Sequence, residues 1–219
     1  MKTYGWKRGT ALLSPPASVP ARGHYRLVTM AASAGGVRAL GRVLSELPED
    51  FPAPIAIVQH RSAKDPNLMA RVLSRHTALA VKTAEEGDEL HAGTVYLAPP
   101  EWHLRVGPGR RFALADGRRI RHVLSSANPL FESAARELDG RVIAVVLTGY
   151  GRDGTDGVQA VKLSGGTVLA QDEASAEHFD MPRSAIETGC VDRIVPLPHI
   201  AAELRRLIQR SAGNEHRQL

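Results

Sequence analysis

Short apolar runs alternate along most of this chain with stretches whose apolar positions recur every three or four residues. The runs predict strands at Tyr25–Ala31, Ile55–Gln59, Val81–Ala84, Val95–Ala98, Val142–Leu147, Thr167–Gln171 and Arg193–Val195. Helical spacing predicts Val37–Leu47, Pro66–His76, Asn128–Leu138, Thr155–Leu163, Met181–Glu187 and Ile200–Gln209. In the first of these, Val37, Leu40, Val43, Leu44 and Leu47 share one face, and Pro48 stops the helix. His103–Val106 and Phe112–Ala115, joined by Gly107-Pro108-Gly109, read as a hairpin. Strand and helix alternate throughout. The pattern therefore predicts an α/β fold: a single doubly wound, mostly parallel sheet, helices on both faces and a small antiparallel hairpin. Val142–Leu147 is the most hydrophobic strand and is expected near the centre, covered on both faces. One domain over residues 25–210 is expected between a flexible Pro-rich basic leader, 1–24, and a flexible tail, 211–219.

Composition changes this picture little. The 219 residues are 43% hydrophobic, enough for one sizeable core, and only 5% aromatic, so that core must be aliphatic. The formal charge of +5 is concentrated in the leader, where Lys2, Lys7, Arg8 and Arg22 meet no acidic residue. The body is nearly neutral, which argues against a nucleic-acid partner; Arg118-Arg119-Ile120-Arg121 reads as a solvated loop. Cys190 is the single cysteine, which fits a reducing compartment and reads as a small core residue. No segment approaches the roughly 20 apolar residues of a membrane span, and the leader lacks a signal-peptide core. An acid-poor, Arg-bearing leader can resemble a transit peptide, but a disordered tail on a cytoplasmic protein is the expectation.

Three strands end on chemically capable residues. Leu27–Ala32 runs into Ser33-Ala34-Gly35-Gly36, Ile55–Gln59 runs into His60, and Val142–Leu147 runs into a glycine-rich loop carrying Asp153. Ligands of open parallel sheets bind outside the carboxyl ends of the strands. Ser, His and Asp there suggest a nucleophile, its base and the group that orients the base, with Asp153 on the histidine Nδ1–H. Ala34, Gly35 and Gly36, at the start of a helix, offer N–H groups to an oxyanion. Taken singly, Ser33 could merely cap a helix or hold a phosphate, and His60 could merely cap a strand. Asp156, one turn on, is the alternative acid. The other histidines have no such placement, and no metal-ligand spacing occurs, so no metal site is expected.

Gly149-Tyr150-Gly151-Arg152-Asp153-Gly154 also fits G-x-G-x-x-G between a strand and a helix, with Asp172 ending the next strand. That is the dinucleotide-binding pattern and a rival reading. Against it, Asp153 would stand beside the pyrophosphate and repel it, and the unit lies late in the chain. On the hydrolase reading, Asp153 is an anion kept ionised by the helix that follows it.

Ala32-Ser33-Ala34-Gly35-Gly36, Gln59-His60, Tyr96-Leu97-Ala98-Pro99-Pro100, Leu147–Gly154 and Met181-Pro182-Arg183-Ser184-Ala185-Ile186 together resemble a known family in order and spacing. The resemblance is to the catalytic domain of the protein-glutamate methylesterases of bacterial chemotaxis, the CheB family, over about residues 25–208. It implies a Ser33–His60–Asp153 triad, no cofactor, and hydrolysis of γ-glutamyl methyl esters on chemoreceptor helices with release of methanol. Some members of the family also deamidate receptor glutamines. Ala34, Gly35, Gly36 and Tyr150 fall around the oxyanion and substrate cleft. Ala34 replaces a usual threonine, Tyr150 a methionine and Asn128 an aspartate, all around the cleft. The family's receiver domain does not fit in the roughly 24 residues before the first strand, so the expectation is a chain that is constitutive, regulated by a separate partner, or part of a pathway outside taxis. A non-catalytic adaptor in a signalling complex is the remaining alternative.

Overall fold

The computed structural model describes residues 26–60, 68–116 and 125–213. Seven of the apolar runs become strands β1 (Leu27–Ala32), β2 (Ile55–Gln59), β3 (Ala80–Thr83), β4 (Thr94–Leu97), β7 (Val142–Val146), β8 (Thr167–Gln171) and β9 (Arg193–Val195). They form one sheet in the order β3-β4-β2-β1-β7-β8-β9, with every pairing parallel. The predicted hairpin is β5 (Trp102–Gly107) with β6 (Arg111–Asp116), paired antiparallel as a separate ribbon. Six helices complete the fold: α1 (Gly36–Leu44), α2 (Leu68–Leu73), α3 (Ala127–Glu137), α4 (Thr155–Leu163), α5 (Asp180–Glu187) and α6 (Leu197–Gly213).

Because strand side chains alternate between faces, an all-apolar strand can be buried on both sides. Val28 and Met30 of β1, Ile55 and Ile57 of β2, and Ile143 and Val145 of β7 pack into one core with α1, α2 and α6. Leu27, Ala31, Ala56, Val58, Val142, Ala144 and Val146 turn the other way, against α3, α4, α5 and the hairpin. The order of winding reverses at β1. The chain winds from β1 through β2 toward β3 on one side, then resumes at β7 and winds to β9 on the other. Such a switch point opens a crevice at the carboxyl ends of the two strands that flank it.

Most boundaries moved by a residue or so, and α2 ends at Leu73 rather than His76. α1 ends at Leu44 rather than Leu47, although Leu47 remains buried in the core. α6 begins at Leu197, three residues early, and continues to Gly213, past the expected domain boundary at 210. The strand expected from Tyr25 begins at Leu27. The leader, the first residues of the second predicted helix, the arginine cluster at 118–121 and residues 214–219 lie outside the described residues.

Candidate active site

β1 delivers Ser33 to the switch-point crevice. Gly35, the N-cap of α1, sits at φ 75°, a left-handed conformation that reverses the chain between strand and helix. The serine backbone is held from both flanking strands. Its N–H donates to Thr148 O at 3.0 Å, and its carbonyl accepts from Gln59 Nε2 at 2.8 Å. The same Gln59 amide donates to the His60 carbonyl at 3.1 Å, so one side chain fixes both residues. Thr148 in turn has its hydroxyl 3.0 Å from the Ala34 carbonyl, while its N–H donates to Gln171 Oε1 at 2.9 Å.

His60 and Asp153 meet directly, with Nε2 2.8 Å from Oδ2. Their side chains are 14% and 3% exposed, so water competes little for this contact. The acid therefore faces Nε2, not the Nδ1 expected from sequence, and Nδ1 is left as the ring atom that can serve as base. Asp153 is anchored by α3 rather than by α4, the helix that follows it. Oδ1 accepts from Ser126 Oγ, and Oδ2 accepts from the Ala127 N–H at 2.7 Å. Burial alone would raise the carboxyl's pKa. Bonds from His60, Ser126 and Ala127 outweigh it and hold Asp153 below its ordinary value, so it is a carboxylate at neutral pH. Among the described residues no hydrogen bond joins Ser33 Oγ to His60. Serine–base bonds often tighten only once substrate is bound.

Of the expected oxyanion donors, Gly36 is excluded: its N–H is committed to the Ser33 carbonyl at 2.9 Å. Among the described residues, the N–H groups of Ala34, Gly35 and Tyr150 donate to no protein acceptor. Gly149 brings the Tyr150 loop over the serine; a Cβ built on it would lie 2.6 Å from Ser33 Cβ. Tyr150 itself is 60% exposed, and its ring lies against that of His178, centroids 4.1 Å apart. Beside them the Glu177 carboxylate reaches over Gly35 and pairs with Arg38 at 3.4 Å. Sequence reasoning passed over Gln59, Thr148, Gln171, Ser126 and His178.

Residues 28–204 match the family described as CheB methylesterase. The chain belongs to the CheB methylesterase family. A protein-glutamate methylesterase/protein-glutamine glutaminase of Anaeromyxobacter dehalogenans is 44% identical over 87% of this chain and 56% of its own length. A putative enzyme of the same description from Leptospira interrogans is 38% identical over 85% of this chain and 96% of its own. The crystal structure of the Thermotoga maritima CheB methylesterase catalytic domain superposes with a TM-score of 0.81 at 37% identity, covering 84% of this chain and 98% of that one. The chain thus spans about half the length of the Anaeromyxobacter relative and nearly all of the Leptospira one.

Against this CheB-type background, Asn128 has a clear role. It is buried between α3 and α4, where Oδ1 accepts the Gly157 N–H at 3.0 Å and Nδ2 lies 3.5 Å from Asp156 Oδ2. An aspartate there would set two carboxylates against each other. Asp156 is engaged at that contact, and the acid on His60 is Asp153. Asp172, the ribose ligand of the dinucleotide reading, instead accepts the Ser175 N–H at 3.1 Å within its own turn. Gly149 is covered by Ser33 and Met181, so closely that a Cβ there would lie 2.4 Å from Met181 Sδ and 2.6 Å from Ser33 Cβ. Among the described residues no helix is long and apolar enough to cross a membrane, and no His/Cys/Asp/Glu group could hold a metal.

Proposed function

We propose that this chain is a cytoplasmic serine hydrolase that removes methyl groups from γ-glutamyl esters of chemoreceptor-type helices, with Ser33, His60 and Asp153 as its triad. The hydrogen bond between His60 Nε2 and Asp153 Oδ2, formed beside the serine turn of a CheB-type fold, carries the reading. His60 Nδ1 takes the Ser33 Oγ proton as the oxygen attacks the ester carbonyl. The N–H groups of Ala34, Gly35 and Tyr150 receive the oxyanion. Collapse expels methanol with the proton from His60, and a water activated by the same ring releases the glutamate and frees the serine. Asp153, ionised throughout, stabilises the imidazolium that forms twice in this cycle. A glutamine amide can follow the same course with ammonia as leaving group; the Anaeromyxobacter relative is named as both a methylesterase and a glutaminase.

The test is methanol release from a methylated receptor fragment. Ser33→Ala, with fold verified by circular dichroism, is expected to abolish release and labelling by a fluorophosphonate. Undiminished release by that variant overturns the assignment.

A further inference from the structure

His103 is a buried histidine that the chemistry above does not use. It lies on β5, 3% exposed, and its Nδ1 accepts the Ser126 N–H at 3.1 Å. An accepting Nδ1 carries no proton, so its role in that bond is fixed. Ser126 is the N-cap of α3, with extended backbone at φ −86°, ψ 145°. Its hydroxyl accepts the Asn128 N–H at 3.2 Å and donates to Asp153 Oδ1, and the next N–H, from Ala127, donates to Asp153 Oδ2.

An N-cap N–H is often held by a Glu or Gln three residues on. Here that position is Pro129, which offers no such group, and the imidazole of a different element takes its place. Two of the three donors on Asp153 belong to this cap, so the orientation of the carboxylate toward His60 depends on where the Ser126 backbone sits. We propose that His103 is a positioning residue for the hydrolytic reaction, holding the α3 cap so that Asp153 meets His60 Nε2. The inference rests on the triad reading given under Proposed function.

The test compares His103→Asn with His103→Gln. The Asn amide oxygen stands one bond from Cγ, as Nδ1 does, whereas that of Gln lies one bond farther out. Both are polar, and both are compared at equal folded fraction. His103→Asn is expected to keep kcat within about threefold of the parent, and His103→Gln to lose at least tenfold, with KM unchanged in each. A second readout does not need turnover. The downfield proton of the His60–Asp153 bond, identified by its loss in Asp153→Ala, should persist in His103→Asn and vanish in His103→Gln. Equal kcat and equal spectra in the two variants overturn the inference. A parent that shows the resonance but hydrolyses no ester overturns the hydrolase reading and leaves the positioning to be decided by the spectra.

Discussion

Gly149→Ala sets stability against catalysis in a way the structure makes quantitative. The added methyl would lie 2.4 Å from Met181 Sδ, 2.6 Å from Ser33 Cβ and 3.1 Å from Ser33 N. Ordinary carbon contacts are about 3.5–4.0 Å, so roughly 1 Å must be found. The Met181 thioether can rotate away, since methionine is flexible. Ser33 cannot retreat freely, because its N–H is bonded to Thr148 and its carbonyl to Gln59 and Gly36. The methyl therefore displaces either Ser33 or the loop that covers it.

Overpacking of this kind costs about 1–3 kcal/mol of stability. A misplacement near 1 Å in a reacting group can cost on the order of 10² in rate. Gly166→Ala is the matched control. Its methyl would lie 2.7 Å from Val161 Cγ1 and 2.9 Å from Val142 O, a similar clash just before β8, at the amino-terminal ends of the strands and away from Ser33. Both variants should lose a few degrees of unfolding temperature by calorimetry. Only Gly149→Ala should lose about 10² in kcat for methanol release. If the two lose similar stability and both keep kcat, the serine is not held as described and the reasoning fails.

Asp153→Asn tests the charge on the acid. The Ala127 N–H can only donate, so the amide oxygen should take the Oδ2 place and keep both Ala127 and His60 bonded, with the NH₂ toward Ser126 Oγ. The Ser126 hydroxyl, which donates to Oδ1 in the parent, must then turn to accept from that NH₂, while the His60 and Ala127 bonds keep their places and the charge is lost. For charge centres roughly 4 Å apart at an effective dielectric of 20 that is about 4 kcal/mol, so kcat should fall by up to about 10³. Because the native Asp153 pKa lies below the unfolded value, its contribution to stability is complete above about pH 3.9 and lost as pH falls below that. Acid unfolding of Asp153→Asn should show a shallower pH dependence in that range; an identical slope contradicts the lowered pKa. Tyr150→Ala keeps the backbone N–H but removes the ring that lies on His178, so KM should rise several-fold with kcat within about threefold. A fall in kcat at constant KM would place the ring in the chemistry instead.

The strand ends were legible because a buried parallel strand is almost purely apolar, and a polar residue closing one stands out. Ser33 and His60 were found that way, as was the loop bearing Asp153. Gln59 and Gln171 carry the same signal, since each closes an apolar strand, yet an amide has no chemistry of its own to draw attention. Their work is to tie loops together, which depends on partners distant in sequence. Ser126 and His103 were out of reach for the same reason. The N-cap hydroxyl is a local signal, but the carboxylate it serves lies 27 residues away and the imidazole behind it 23. Which ring nitrogen faces the acid depends on side-chain rotation, which no sequence pattern records.

The glycine-rich loop shows why the triad and dinucleotide readings compete in sequence and not in space. His60 follows β2 and Asp153 follows β7, and β1 lies between these strands. Adjacent strands are about 4.8 Å apart, so the acid must be carried across roughly two spacings, over the end of β1. Residues 148–154 make that crossing. The chain passes close enough over Ser33 that only a hydrogen fits at Gly149. It then turns through left-handed conformations at Gly151, φ 84°, and Gly154, φ 89°, which set Asp153 against the cap of α3. Glycines at this spacing can open a strand–helix turn to a phosphate. Here Gly149 packs against the protein's own Ser33 and Met181, and Gly154 against Phe131 and Ala127 of α3. In this loop the Gly149 N–H is committed to the His178 carbonyl, and Thr148, just before it, takes up the Ser33 N–H. The same glycines that suggest a cofactor are what carry Asp153 from the end of β7, past Ser33, to His60 at the end of β2.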